Sequence, residues 1–140
     1  ILRTMQEFTP GKLHLVFGTD GDRDATKRVP LAKVAAQEAD ILWVTDENPR
    51  TENAQSIRAQ LLSGIKEERP EMENVCEVTT CRRDAIRKAI LAAHSDDTVI
   101  ITGKGAEPYQ EIEGVFHAFN DTPVARDCLA AYKNRAHIQG

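Results

Sequence analysis

The 140-residue sequence lacks several features, and each absence closes off a class of function. No stretch approaches the roughly 20 consecutive apolar residues that a bilayer-crossing helix needs, so no membrane association is expected. Positive charge is in deficit: 18 Lys and Arg stand against 22 Asp and Glu, a formal charge of −4. Such a chain has no general attraction for nucleic acid or anionic lipid, and any anion site must be local. The three cysteines, Cys76, Cys81 and Cys128, form no CxxC and have no histidine at metal-ligand spacing. They read as reduced, structural thiols, which fits a cytoplasmic location and no metal site. Internal repeats and low-complexity tracts are missing. The first residues have neither a basic n-region nor an apolar h-region, and the chain starts at Ile1 without an initiator Met. The expectation is one domain of a longer protein.

What is present is a repeated unit: a short apolar run, a loop rich in Gly, Asp or Pro, then a helical pattern. Leu13, His14, Leu15, Val16 and Phe17 read as a first strand, and Leu31, Val34 and Ala35 as one face of the helix that follows. Ile41 to Val44 is the second strand. Ile57, Leu61 and Ile65 mark a second helix, with Gly64 near its end where a left-handed residue can close it. Val75 to Val78 is a third strand, and Thr80 the N-cap of a helix with Ala85, Ile86, Ala89, Ile90 and Ala93 inward. Thr98 to Thr102 is β-branched or apolar throughout, as in a strand covered on both faces. Ile112 to Phe119 then alternates around Glu113 and Gly114 like a hairpin. Asp121 or Thr122 would cap a last helix that buries Val124, Ala125, Cys128, Leu129 and Tyr132. Alternating strands and helices predict an α/β fold with a mostly parallel sheet and a small antiparallel C-terminal extension.

Ligands of an open parallel sheet sit at the carboxyl ends of its strands. Three strand-end loops are rich in chemistry: Gly18 to Asp24, Asp46 to Arg50, and Gly103 to Glu107. Singly they have dull explanations, with Gly18 and Gly21 for tight turns, Asp24 as a cap, and Asn48-Pro49 as a helix start. Together they put Arg23 and Arg50 on one edge with Glu47 and Glu107. Guanidiniums hold carboxylates by paired hydrogen bonds and carboxylates hold ammonium groups, so this edge complements a zwitterion such as a free diamino acid. A nucleotide would want fewer acids, and a metal would want acids without the arginines.

Two glycine-rich segments are decoys. Lys104 lies between glycines, but no G-x-x-x-x-G-K-[ST] is present, and the acids around Gly21 would repel a dinucleotide pyrophosphate. His14, His94, His117 and His137 are scattered without a paired nucleophile, so no catalytic residue is assigned. Arg82, Arg83, Arg87 and Lys88 read as a solvated basic helix face without function.

The same three loops carry a family resemblance. Phe17-Gly18-Thr19-Asp20-Gly21-Asp22-Arg23-Asp24 resembles the V-F-G-x-G-G-D-R-D segment of the MurE-type Mur ligases, the UDP-N-acetylmuramyl-tripeptide synthetases. Asp46-Glu47-Asn48-Pro49-Arg50-Thr51-Glu52 resembles their D-N-P-R-x-E segment, and Gly103-Lys104-Gly105-Ala106-Glu107-Pro108-Tyr109-Gln110 resembles G-K-G-H-E-x-Y-Q. Order and spacing agree from about Gly11 to the last helix.

The resemblance implies that residues 1–140 form the C-terminal, amino-acid-binding domain, a Rossmann-like three-layer sandwich. It would follow an N-terminal UDP-sugar domain and a central ATPase domain, both absent from this chain. The family activity is an ATP-dependent ligation that adds a diamino acid, meso-diaminopimelate or L-lysine, to UDP-N-acetylmuramoyl-L-alanyl-D-glutamate in peptidoglycan synthesis. Arg23 and Arg50 would hold carboxylate, Asn48 would shape its loop, and Gly103 and Glu107 would receive the amino acid's distal end. ATP and Mg2+ would be held mainly by the central domain, so the isolated chain should be inert. Its partners would be the free diamino acid, with ATP and the UDP-N-acetylmuramoyl dipeptide in the full-length enzyme.

Two departures leave substrate choice open. Glu47 stands where the family usually has Asp, and Ala106 where it usually has His. Arg50 favours diaminopimelate, whereas Leu129 to Lys133 resembles a tail also found in lysine-adding relatives. Other readings are a peptide-recycling or polyglutamate-adding Mur-type ligase, or a non-catalytic amino-acid-binding module.

Overall fold

The computed structural model describes residues 9–19, 21, 25–102, 109–112, 115–118 and 121–139. Strand β1 (Leu13–Phe17) is apolar but for His14 and buried at every position, because strands lie on both sides of it. A 3-10 turn, Ala25–Lys27, leads into α1 (Arg28–Glu38), followed by β2 (Ile41–Val44), α2 (Ala54–Glu68), β3 (Val75–Glu77), α3 (Arg82–Ala92) and β4 (Thr98–Ile101). The sheet order is β3-β2-β1-β4 and every pairing is parallel, with His14 opposite Ile41 and Leu13 opposite Thr98. The chain steps outward from β1 to β3, then crosses back to the far side of β1. Such a reversal opens a crevice at the carboxyl edge, where ligands of open α/β sheets bind.

Period-two alternation along the strands sorts the core into two layers. Leu15 and Phe17 of β1, with Leu42 and Val44 of β2, pack on Ala32, Ala35 and Ala36 of α1 and on Leu61 and Ile65 of α2. Val16 points the other way, into a cluster with Ala85, Ile86 and Ala89 of α3. The last helix, α4 (Asp121–Gln139), adds Val124 and Cys128 to that cluster. Helices thus cover both faces, the expected three-layer Rossmann-like arrangement. The antiparallel strands β5 (Tyr109–Ile112) and β6 (Val115–Ala118) form a two-stranded sheet of their own instead of extending the parallel one. An isolated bridge joins Ile112 to Arg50.

Several local expectations are corrected. Leu31 and Val34 are 45% and 51% exposed, and α1 buries its alanines instead. Small side chains win because α2 comes very close. A Cβ on Gly64 would lie 2.8 Å from the Val29 carbonyl oxygen and 2.9 Å from the Ala32 Cβ. Gly64 is therefore a helix contact and not a terminator; α2 runs on to Glu68. Arg69 follows, and its guanidinium donates to the carbonyls of Ala36, Ala39 and Asp40 at the end of α1, where cations are favoured.

Helix α3 is capped by Cys81, whose Sγ accepts from the Asp84 amide, while Thr80 Oγ1 donates to the Asp84 carboxylate at 2.6 Å. Strand β4 packs Ile100 toward one helical layer and Val99 and Ile101 toward the other, as expected, but is only half-buried because it lies at the end of the ladder order. Leu129 is exposed, and the side chain of Tyr132 lies outside the described residues. All three thiols are free, and burial pushes the Cys128 thiol up.

At the amino edge of the sheet the fully buried His14 accepts at Nδ1 from Trp43 Nε1 (3.2 Å) and meets Asp97 Oδ2 with Nε2 (3.0 Å). An indole N–H can only donate, so Nε2 carries the proton and donates to Asp97. Asp97 also accepts the backbone amides of Lys12 and His94, and these bonds, with His14, hold its pKa down at about 2. The dyad is a structural strut at the end of the sheet opposite the strand-end loops.

Two predictions follow from this packing. A depressed carboxyl pKa supplies stability that is present above the ordinary value of 3.8 and is lost as pH falls toward about 2. Asp97→Asn should flatten that acid limb of the stability curve; an unchanged limb would contradict the role given to Asp97. Gly64→Ala should lower stability in urea melts by about 1 kcal/mol, since overpacking of roughly 1–3 kcal/mol exceeds a helix-propensity gain of about 1 kcal/mol. A more stable variant would show that the two helices have slack.

Candidate functional site

Strands β1, β2 and β4 end at Phe17, Val44 and Ile101, side by side. The segment after β2, residues 45–53, is the hub on which the others are laid. Gly21 N donates to Asn48 O at 2.7 Å, and a Cβ on Gly21 would collide with the Pro49 carbonyl. Only glycine permits that approach, which brings the loop after β1 onto the loop after β2. From the other side Gln110 of β5, itself buried, donates to Glu47 O at 2.8 Å and Asp46 O at 3.4 Å.

The hub itself is pinned by three arginines, of which sequence reading named only Arg82, and that as part of a solvated face. Arg28, 2% exposed, donates to both carboxylate oxygens of Glu52 at 2.6 and 2.8 Å. Arg58 donates to Asp46 at 2.6 Å and to Glu77 at 3.0 Å. Burial works against the Arg58 charge, but its hydrogen bonds to Asp46 and Glu77 outweigh that and raise its pKa. Arg82, fully buried, grips both oxygens of Asp121 at 2.8 and 2.7 Å and also donates to Asp46 O and Thr102 O, each at 3.0 Å. It is no part of a solvated face.

A signal for these arginines did exist in the sequence. At 3.6 residues per turn Arg82 shares a face with Ala85, Ile86 and Ala89, whereas Arg83, Arg87 and Lys88 do not, and those three are exposed. Arg58 lines up in the same way with Leu61 and Ile65, and Arg28 with Ala32 and Ala35. A cation on a buried stripe near a helix start opposes the helix dipole and desolvation, so each needs acids.

Of the residues selected from sequence, Glu47 is 9% exposed and Asn48 is fully buried. Asn48 does not cap a helix; that task falls to Asn53, whose side chain accepts from Ser56 N at 3.0 Å. Arg50 is half-buried and sits at φ 58°, a left-handed conformation uncommon for a residue other than glycine. An isolated β-bridge to Ile112 ties this residue to β5. Arg23, Gly103 and Glu107 lie outside the described residues. The last described positions before them, Gly21 and Thr102, both reach the hub, the first directly and the second through Arg82. Among the described residues no group of three or more His, Cys, Asp or Glu is arranged to hold a metal ion.

Comparison with known proteins bears on this edge. Residues 1–105 match the family described as Mur ligase, glutamate ligase domain. The chain belongs to the Mur ligase family. It is 45% identical over 131 residues to the UDP-N-acetylmuramoyl-L-alanyl-D-glutamate--2,6-diaminopimelate ligase of Xylella fastidiosa (strain 9a5c), covering 94% of this chain and 26% of that protein. The ligase of the same name from Clostridioides difficile (strain 630) is 43% identical over 130 residues, with 93% and 26% covered. A solved structure of a diaminopimelate ligase of this name superposes with a TM-score of 0.80 at 32% identity, over 94% of this chain and 26% of that one. The chain thus spans about a quarter of the length of the relatives it matches and corresponds to the C-terminal domain of a Mur ligase.

Within this Mur ligase domain the acids after β2 have divided labour. Asp46 and Glu52 hold buried arginines, which keeps the intervening residues 47–51 in one shape. The left-handed turn at Arg50 predicts a test of strain. Arg50→Gly and Arg50→Ala both remove the guanidinium, but only glycine accepts φ 58° freely, so the glycine variant should be the more stable by about 1 kcal/mol in thermal melts. Equal stability would mean that the backbone relaxes out of this conformation.

Proposed function

We propose that this domain seats the diamino acid, meso-diaminopimelate, that the ligase adds to UDP-N-acetylmuramoyl-L-alanyl-D-glutamate. The observation that carries the reading is the rigid 45–53 hub, which holds Arg50 in a strained turn at the carboxyl edge with the loop after β1 laid against it. A strained, over-determined backbone at a sheet's binding edge is where function is expected. Arg23 and Arg50 hold carboxylates of the amino acid, with Arg50 suited to the second carboxylate that distinguishes diaminopimelate from lysine. Asn48, buried, shapes the loop. Glu47, the Gly103 backbone and the Glu107 carboxylate complete the pocket and receive the distal amino end.

The chemistry assigned to the whole ligase is amide formation. ATP would pass its γ-phosphoryl group to the peptide carboxylate and leave as ADP, and the incoming amine would attack the acyl carbon, losing a proton as phosphate departs. ATP and Mg2+ would be held by a central domain outside this chain, since among the described residues no group of three or more His, Cys, Asp or Glu is arranged to hold the ion. The domain's share is orientation. Holding the amine against the acyl carbon makes an encounter intramolecular, worth up to roughly 7–11 kcal/mol in favourable cases. N-terminal and central domains upstream, and a cytoplasmic location, are parts of the same proposal.

The test is a ligation assay of the full ligase with UDP-N-acetylmuramoyl dipeptide, ATP and a panel of meso-diaminopimelate, lysine and ornithine. Diaminopimelate should be preferred. Arg50→Ala should raise its KM by about 10- to 100-fold, the loss of a charged hydrogen-bonded pair of roughly 1.5–3 kcal/mol, while the KM for ATP stays put. Preference for lysine, or equal effects on both KM values, would overturn the assignment of Arg50.

A further inference from the structure

Arg82 is bound to more than a buried acid. Its guanidinium spans three segments: Asp46 O at 3.0 Å opens the 46–50 loop, Thr102 O at 3.0 Å closes β4, and Asp121 at 2.7 and 2.8 Å opens α4. The Asp121 carboxylate alone would satisfy one edge of the fork. The remaining N–H groups go to two main-chain carbonyls just past the ends of strands that are not neighbours, since β1 lies between β2 and β4. One planar cation therefore sets the separation of the 46–50 loop from Thr102, across the crevice at the β1–β4 reversal. The Asp46 carbonyl takes a second bond from Gln110 at 3.4 Å, so the loop is held from above as well as from within.

We propose that Arg82 is a positioning residue for the amino-acid site, fixing the distance between the Glu47–Arg50 loop and the chain leaving β4 at Thr102. The proposal rests on the reading of that edge as the amino-acid seat. Arg82 is fully buried, so it acts without touching substrate. A planar fork with five donors can make all of these bonds at once, and a lysine ammonium cannot. Arg82→Lys thus keeps the charge beside Asp121 but releases at least one carbonyl. Asp121→Asn does the reverse, weakening the ion pair while leaving both carbonyl bonds in place.

The experiment compares these two variants with wild type in the full ligase, using melting temperature, steady-state kinetics and hydrogen exchange of the 46–50 and 102 amides. Both variants should lose thermal stability. Arg82→Lys alone should raise the diaminopimelate KM by about tenfold or more, as misplacement by about an ångström does, with the ATP KM within about twofold of wild type. Exchange in the 46–50 segment should quicken in Arg82→Lys and not in Asp121→Asn. If the two variants shift the KM alike for a given loss of stability, or if exchange at 46–50 is unchanged in Arg82→Lys, the residue is only structural and the proposal fails. Should the wild-type enzyme use no diamino acid at all, the reading of the site fails instead, and the exchange data still decide whether Arg82 sets the loop.

Discussion

A buried guanidinium cannot be left alone. Taking such a charge out of water costs several kcal/mol unless acids and carbonyls surround it, and removal of one partner from a buried pair typically costs about 3–5 kcal/mol. Arg28, Arg58 and Arg82 are each buried near the carboxyl edge of the sheet, and each is met by acids: Glu52, then Asp46 with Glu77, then Asp121. The consequence is a one-sided rigidity. Loops that would ordinarily wander are tied to the helices behind them, and the ties converge on residues 45–53.

This arrangement explains how a small domain presents a fixed carboxyl edge. The parallel core, with Leu15, Phe17 and Val16 pointing alternately into two helical layers, fixes the strands. The arginines carry that order past the strand ends into the loops. Gly21 lets the first loop lie on the second, and Gln110 brings in the hairpin. Three cations of the net-acidic chain, Arg28, Arg58 and Arg82, hold acids around residues 45–53, and Arg82 holds main-chain carbonyls as well.

Much of this could be read from residues alone, and the failures have physical causes. The four parallel strands were legible because apolar runs bounded by Gly, Asp and Pro admit few other readings. The loop after β2 was legible as a feature of the carboxyl edge because Asp46 to Arg50 directly follows an apolar strand, whereas Arg23, Gly103 and Glu107 lie outside the described residues. The face of α1 was misread because hydropathy favours Leu31 and Val34, while close approach to Gly64 rewards Ala32. Arg82 was misread because its neighbours Arg83 and Arg87 suggested a solvated face, although helical periodicity groups it with Ala85 and Ile86. The antiparallel pair was seen, but whether it joins the main sheet depends on pairings between segments distant in sequence.

The central claim is spatial: the loops after β1, β2 and β4 share one cleft fitted to a doubly zwitterionic amino acid. A crystal structure of the full ligase with meso-diaminopimelate tests it most directly. The account expects density for the amino acid at the carboxyl edge, with a carboxylate within hydrogen-bond distance of the Arg50 guanidinium and the far end beside Gly103 and Glu107. Density bound elsewhere, with Arg50 turned away from the amino acid, would contradict it.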